Sequence, residues 1–360
     1  MTERTRHVPG QAHNPPPLEP TTQEFVDGLA AQNSQIGELP IAEARAALVA
    51  MQARPTGKPI TSTEDIMAPI GPKGFVHLRL VRPTELKEPP PVVMLFHGGG
   101  WALGDATTHD RLARELAVGV RATVAVVEFS RTPESRFPTA IEEAYAATKY
   151  IAENSASFAV DGSRIAVVGD GSGGNIAAAV TLLCKERGGP KISFQVLFYP
   201  VTGANFDTPS YRTFESGPWL TKQAMEHFWA AYIPNKVDRE VVTATPVNAS
   251  IDQLRRLPDA LIITAESDVL RDEGEAYARK LCEANVRVTC SRYLGTIHDF
   301  VMLNAIADTP AARGAITQAT SALRDALVVG ATCGSSGQNR ARTSVTGQTI
   351  PTVDMTGDAS

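Results

Sequence analysis

From residue 91 onward the apolar positions fall into strand-length runs, at residues 92–96, 123–129, 165–169, 194–199, 261–265 and 286–291. Helical segments alternate with them, beginning near Thr108, Pro138, Gly173 and Asp272, with a last one across residues 309 to 327. Near-continuous apolar runs are what strands need when both faces of their sheet are covered. The pattern therefore predicts an α/β fold with a mostly parallel central sheet and helices on both faces. Upstream, Val76, Leu78 and Leu80 alternate with His77 and Arg79, which predicts a strand with one wet face at an antiparallel edge. Earlier still, Thr21-x-x-Glu24 reads as a capping box opening a helix that carries Phe25, Val26 and Leu29. Pro40, in a first-turn position, precedes Ile41, Ala44, Leu48 and Met51 on one face of a second helix.

One interval breaks the alternation. Residues 203–258 hold no comparable strand but carry Phe206, Tyr211, Phe214, Trp219, Phe228, Trp229 and Tyr232. An aromatic-rich insertion between core strands reads as a cap over a pocket, the plainer alternative being a helical excursion packed on the core. After Val329 the chain turns to Gly, Ser, Thr and Gln, which predicts a disordered tail. The expected division is an N-terminal arm with cap helices over 1–60, a core over 61–330 with the insertion at about 203–258, and a tail over 331–360.

Composition narrows the function classes. A hydrophobic fraction of 43% with 20% charged residues argues against wholesale disorder and coiled coil. A net charge of −5 provides no basic field to gather phosphates, so nucleic acid is a poor partner. Cys184, Cys282, Cys290 and Cys333 fall in no C-x-x-C or metal-ligand spacing and read as buried or incidental thiols in a reducing compartment. The N-terminus lacks the apolar run of a signal peptide, and no stretch of about 18 apolar residues occurs, so the expectation is a cytoplasmic protein that does not span a membrane.

Three places carry candidate chemistry. His97-Gly98-Gly99-Gly100-Trp101 follows directly on an apolar run; three glycines alone would be a flexible turn, but after a buried strand they expose N–H groups that can stabilise an oxyanion. Gly169-Asp170-Gly171-Ser172-Gly173-Gly174 lies between an apolar strand and a helix, where a G-x-S-x-G nucleophile elbow belongs, with Gly169 and Gly173 as the small flanking residues. A phosphate loop is disfavoured there, because the Walker lysine and the G-x-G-x-x-G spacing are both missing. Asp268 follows a strand, and His298 follows the next one. Each alone would pass for a solvated Asp and an ordinary loop His, but the order elbow, acid, histidine is that of α/β-hydrolases.

With these residues in view, the chain resembles the hormone-sensitive-lipase-like (bacterial family IV) branch of the α/β-hydrolase carboxylesterases over approximately residues 70 to 327. The likeness also rests on Phe129-Ser130-Arg131-Thr132-Pro133-Glu134, Phe137-Pro138, Tyr199-Pro200 and Asp268-Val269-Leu270-Arg271-Asp272-Glu273. It implies an α/β-hydrolase fold with a helical cap, an oxyanion hole from the N–H groups of Gly99, Gly100 and Ser172, and an Asp268 that orients His298. No metal or dissociable cofactor is implied. The implied partner is a small-molecule ester or related acyl compound, and a homodimer is compatible with the reading.

The departure from the family lies at the elbow, which the family writes G-D-S-A-G-G. Here glycine stands at the nucleophile position, Gly171, and serine one residue later. Ser172 is a candidate replacement, yet it opens the helix, and moving a hydroxyl by one residue redirects it by several ångströms, when about 1 Å already costs roughly a hundredfold. The expected function is a carboxylic ester hydrolase for small or medium acyl esters with a degenerate triad. Two alternatives stay open: a non-hydrolytic enzyme of elimination, isomerisation or cyclisation with His298 as proton shuttle, and a non-catalytic ligand-binding member of the fold.

Overall fold

In the computed structural model, residues 16–31, 36–86 and 88–329 are described; the expected tail over 331–360, and Cys333 with it, lies outside them. The chain begins with α1 (Pro20–Ala31) and α2 (Ile41–Gln52). The capping box read at Thr21 and Glu24 is replaced two residues upstream: Glu19 accepts from the Thr22 N–H at 3.0 Å, a longer acidic side chain capping the helix start instead. Next come β1 (Thr61–Ala68) and β2 (Val76–Pro83). β2 was expected at the sheet edge, but β1 lies outside it. β1 is mostly exposed and is tied across by Arg79 to Asp65 at 2.8 Å and Arg82 to Glu64 at 2.7 Å, so charge pairs rather than apolar alternation hold it.

The central strands follow the apolar runs. They are β3 (Pro91–Phe96), then α3 (Asp110–Val120), β4 (Thr123–Glu128), α4 (Thr139–Glu153), β5 (Asp161–Asp170), α5 (Ser172–Glu186) and β6 (Ile192–Phe198). The stretch from 203 to 258 contains α6 (Pro209–Thr213), α7 (Lys222–Tyr232) and α8 (Ile251–Leu254), and no strand among the described residues. The chain then completes β7 (Asp259–Ser267), α9 (Arg271–Glu283), β8 (Val288–Ile297) and α10 (Pro310–Val329). β8 runs six residues beyond its expected end because its alternating, half-exposed side chains hide the strand from an apolar-run reading.

The eight strands form one sheet in the order β1-β2-β4-β3-β5-β6-β7-β8, antiparallel at β1–β2 and β2–β4 and parallel elsewhere. From β3 the chain first moves to β4 on one side, and then β5, β6, β7 and β8 add on the other. The strand order thus reverses beside β3, and open α/β sheets bind ligands outside the carboxyl ends of strands at that point. The pairing of Phe96 with Gly169 brings the ends of β3 and β5, and so the triple glycine and the elbow, side by side. α3 packs on α10 and α4 on α5, covering the sheet. Cys184 is buried, which pushes its thiol up to about 12, whereas Cys282 and Cys290 are exposed free thiols. No helix among the described residues is long and apolar enough to cross a membrane.

Candidate active site

β5 ends at Asp170 and α5 begins at Ser172, so a single residue, Gly171, makes the turn. It does so at φ 52° and ψ −117°, a conformation that glycine reaches without the strain an L side chain would suffer. The Gly171 N–H donates to Phe198 O at 3.0 Å, and its carbonyl accepts from Val201 N at 3.0 Å, fixing the turn to the end of β6. A Cβ built on Gly171 would lie 3.2 Å from His298 Nε2, with His298 alone inside 4 Å. Behind the turn, a Cβ on Gly173 would come within 2.0 Å of Phe96 O, so only glycine lets α5 start this close to β3.

His298 directly follows β8, and Asp268 directly follows β7. The His298 Nδ1 lies 2.8 Å from Asp268 Oδ2, and Asp268 Oδ1 accepts from the Leu270 N–H at 2.9 Å. With Nδ1 committed to the acid, Nε2 is the nitrogen presented toward Gly171. Burial opposes a charge on the ring, but Asp268, Asp299 and Asp170 outweigh it and raise His298 to about 9.

Asp299 went unassigned in the sequence, because nothing local distinguishes it from a loop aspartate. It sits at φ 65° with Oδ1 3.3 Å from His298 Nε2 and with Oδ2 accepting from Trp219 Nε1 at 2.9 Å. Burial raises its carboxyl, against the pull of His298. Trp219 comes from the 203–258 stretch, and its ring meets Phe25 of α1 at 5.7 Å.

The triple-glycine loop is pinned from below. The Gly98 N–H donates to Asp170 Oδ1 at 3.0 Å, and Asp170 Oδ2 lies 3.2 Å from Nε2 of His109, both side chains fully buried. His109 is a second residue the sequence did not reveal; it stands just before α3 with no motif around it, and Asp170 raises its pKa despite burial. His97 stacks on Phe129 at 4.2 Å, and burial beside His109 lowers it to about 4. Trp101 stacks on Tyr232 of α7 at 4.3 Å. The N–H groups of Gly99 and Gly100 meet no acceptor among the described residues, and both glycines line the cavity in front of His298.

Ser172 is placed differently from His298 and Asp268. Its Oγ accepts from the Trp101 N–H at 3.0 Å, and among the described residues it makes no hydrogen bond with His298. The hydroxyl therefore braces the triple-glycine loop. Ser172→Ala should leave the buried Trp101 N–H without an acceptor and cost about 1–3 kcal/mol in urea unfolding, while turnover stays within about tenfold. A nucleophilic Ser172 would instead lose all turnover.

The cavity walls are apolar, with Leu48, Leu103, Met225, Phe228, Leu270 and Met302 among them, and they enclose 630 Å³ including the mouth. Glu273, buried at the start of α9, has its Oε1 accepting from Thr202 N at 2.7 Å and Gly203 N at 3.0 Å. Burial pushes it up to about 8. Among the described residues no three His, Cys, Asp or Glu side chains are grouped to hold a metal ion.

Residues 93–302 match the family model of the alpha/beta hydrolase fold. Carboxylesterase NlhH of Mycobacterium tuberculosis is 38% identical over 253 residues, 70% of this chain and 79% of that protein. A thermostable esterase from Pseudomonas putida is similar in structure with a TM-score of 0.84 at 44% identity, covering 87% of this chain and 99% of that one. An esterase of Pyrobaculum calidifontis gives a TM-score of 0.78 at 36% identity, over 86% and 98% of the two chains. The chain belongs to the alpha/beta hydrolase fold family, in its hormone-sensitive-lipase-like (family IV) branch, and is an esterase-type hydrolase.

Proposed function

We propose that the chain hydrolyses small or medium acyl esters by direct attack of water, with Gly171 leaving the space a serine side chain would fill. The observation that carries this is the position of the missing side chain: a Cβ on Gly171 would lie 3.2 Å from His298 Nε2, and His298 is bound to Asp268 at 2.8 Å. The surroundings of a serine esterase are thus assembled around a glycine. An ester carbonyl lodged against the N–H groups of Gly99, Gly100 and Ser172 would have its developing negative charge stabilised in a cavity with largely apolar walls. The apolar walls would take the acyl chain.

Because no side chain at 171 forms an ester, the reaction has no covalent intermediate and turnover shows no burst. The test is hydrolysis of ethyl butyrate, whose leaving alcohol needs a proton, by the chain and by His298→Ala, with p-nitrophenyl butyrate used to look for a burst. Slow, burst-free turnover that His298→Ala abolishes is the expected result. Equal rates in both proteins would remove His298 from the reaction and contradict the proposal.

A further inference from the structure

We infer that Asp299 is the base that draws the proton from the attacking water, and that His298 serves as the acid toward the departing alcohol. The inference rests on the ester-hydrolase reading and identifies the residue that does the work a serine would otherwise share with the histidine.

Its ground is geometric. Asp299 Oδ1 and His298 Nε2 are 3.3 Å apart and both residues line the cavity that Gly99 and Gly100 also face. Two polar atoms this close can both hydrogen-bond one water at about 2.8 Å. Room for it exists on the Gly171 side, where, its two chain neighbours apart, only His298 comes within 4 Å of the absent Cβ. Asp299 is also held in place: Oδ2 is bound by Trp219 Nε1 at 2.9 Å, which leaves Oδ1 for the water.

The charges around the pair favour the same division of labour. His298 faces Asp268 at the end of β7, Asp170 at the end of β5, its neighbour Asp299, and the Tyr199 ring after β6 at 4.7 Å. Asp299 faces His298, Asp170, Trp219 and, from just before α3, His109. Three carboxylates keep the imidazole protonated up to about 9, so at neutral pH it has a proton to give and no lone pair at Nε2 to take one. Burial raises Asp299, which makes its carboxylate a better base.

The step balances without any further reactant. Asp299 Oδ1 takes one water proton as the water oxygen bonds to the ester carbonyl carbon, and the carbonyl electron pair moves onto oxygen. As the tetrahedral intermediate collapses, the bond from carbon to the alcohol oxygen breaks and the leaving oxygen takes the Nε2 proton. Asp299 then returns the water's proton to Nε2 across their contact. The products are the carboxylic acid and the alcohol, with the carboxylate and imidazolium restored.

Ethyl butyrate is the substrate for the test, since its poor leaving group needs an acid, with acid release followed in the intact chain. Asp299→Asn should lower kcat at least about fiftyfold in the chain as it stands, and by no more than about fivefold in the Gly171→Ser background. The unmodified chain should lose activity as pH rises through about 9, where His298 gives up its proton. Equal losses from Asp299→Asn in both backgrounds would reveal a merely structural residue and overturn the inference. A rise through pH 9 would make His298 the base and overturn it too, as would an inactive chain beside an active Gly171→Ser. If neither the chain nor Gly171→Ser is active, the ester-hydrolase reading falls and takes the inference with it.

Discussion

Replacing Gly171 by serine should raise kcat toward p-nitrophenyl butyrate by at least about a hundredfold at pH values above about 9, where His298 has given up its proton and can act as the base. A serine oxygen one bond beyond a Cβ that lies 3.2 Å from Nε2 has the histidine within reach, and an activated nucleophile splits one difficult step into two easier ones. The same substitution should destabilise the protein. The turn at φ 52° and ψ −117° costs an L residue about 1–3 kcal/mol, and the imidazole must yield by a few tenths of an ångström. Gly171→Ser should therefore unfold at lower urea concentration while turning over faster. Burst kinetics, absent in the parent, should accompany the gain.

The second large effect is expected from Asp268. In the Gly171→Ser background, Asp268→Asn should cost on the order of 10⁴ in kcat, because an amide favours the wrong tautomer of the imidazole and cannot stabilise its cation. The direction of the accompanying pKa change follows from the same contact. Asp268 stabilises charged His298, so its removal should bring the histidine down from about 9 toward its ordinary 6.5. Following the His298 ring proton by NMR across pH 5 to 10, a range that brackets both values, checks this independently of rate.

The site's legibility in the sequence depended on how local each signal was. The parallel strands could be read because β3 is buried at every position and β4 at all but its last, and that demands apolar runs. The elbow could be read because one sharp turn needs glycines at fixed offsets around residue 171. Asp268 and His298 could be read only through chain order, since they lie 30 positions apart with a helix and a strand between them. β1 could not be read, as its partners are charges on β2. His109 reaches Asp170 across 61 positions and Trp219 reaches Asp299 across 80, contacts no local pattern encodes. The role of Ser172 stayed undecided for the same reason, until its hydroxyl was seen on the Trp101 N–H.

The central claim is that this is an esterase site complete except for the side chain at 171, and labelling with a fluorophosphonate followed by intact-protein and peptide mass measurement tests it most directly. At a pH above about 9, where His298 is neutral, the parent chain should remain unmodified, Ser172 included, while Gly171→Ser should acquire one phosphonyl group on the new serine, and His298→Ala should abolish that labelling. A parent chain labelled at Ser172, or a Gly171→Ser chain that folds and stays unlabelled, would contradict the account.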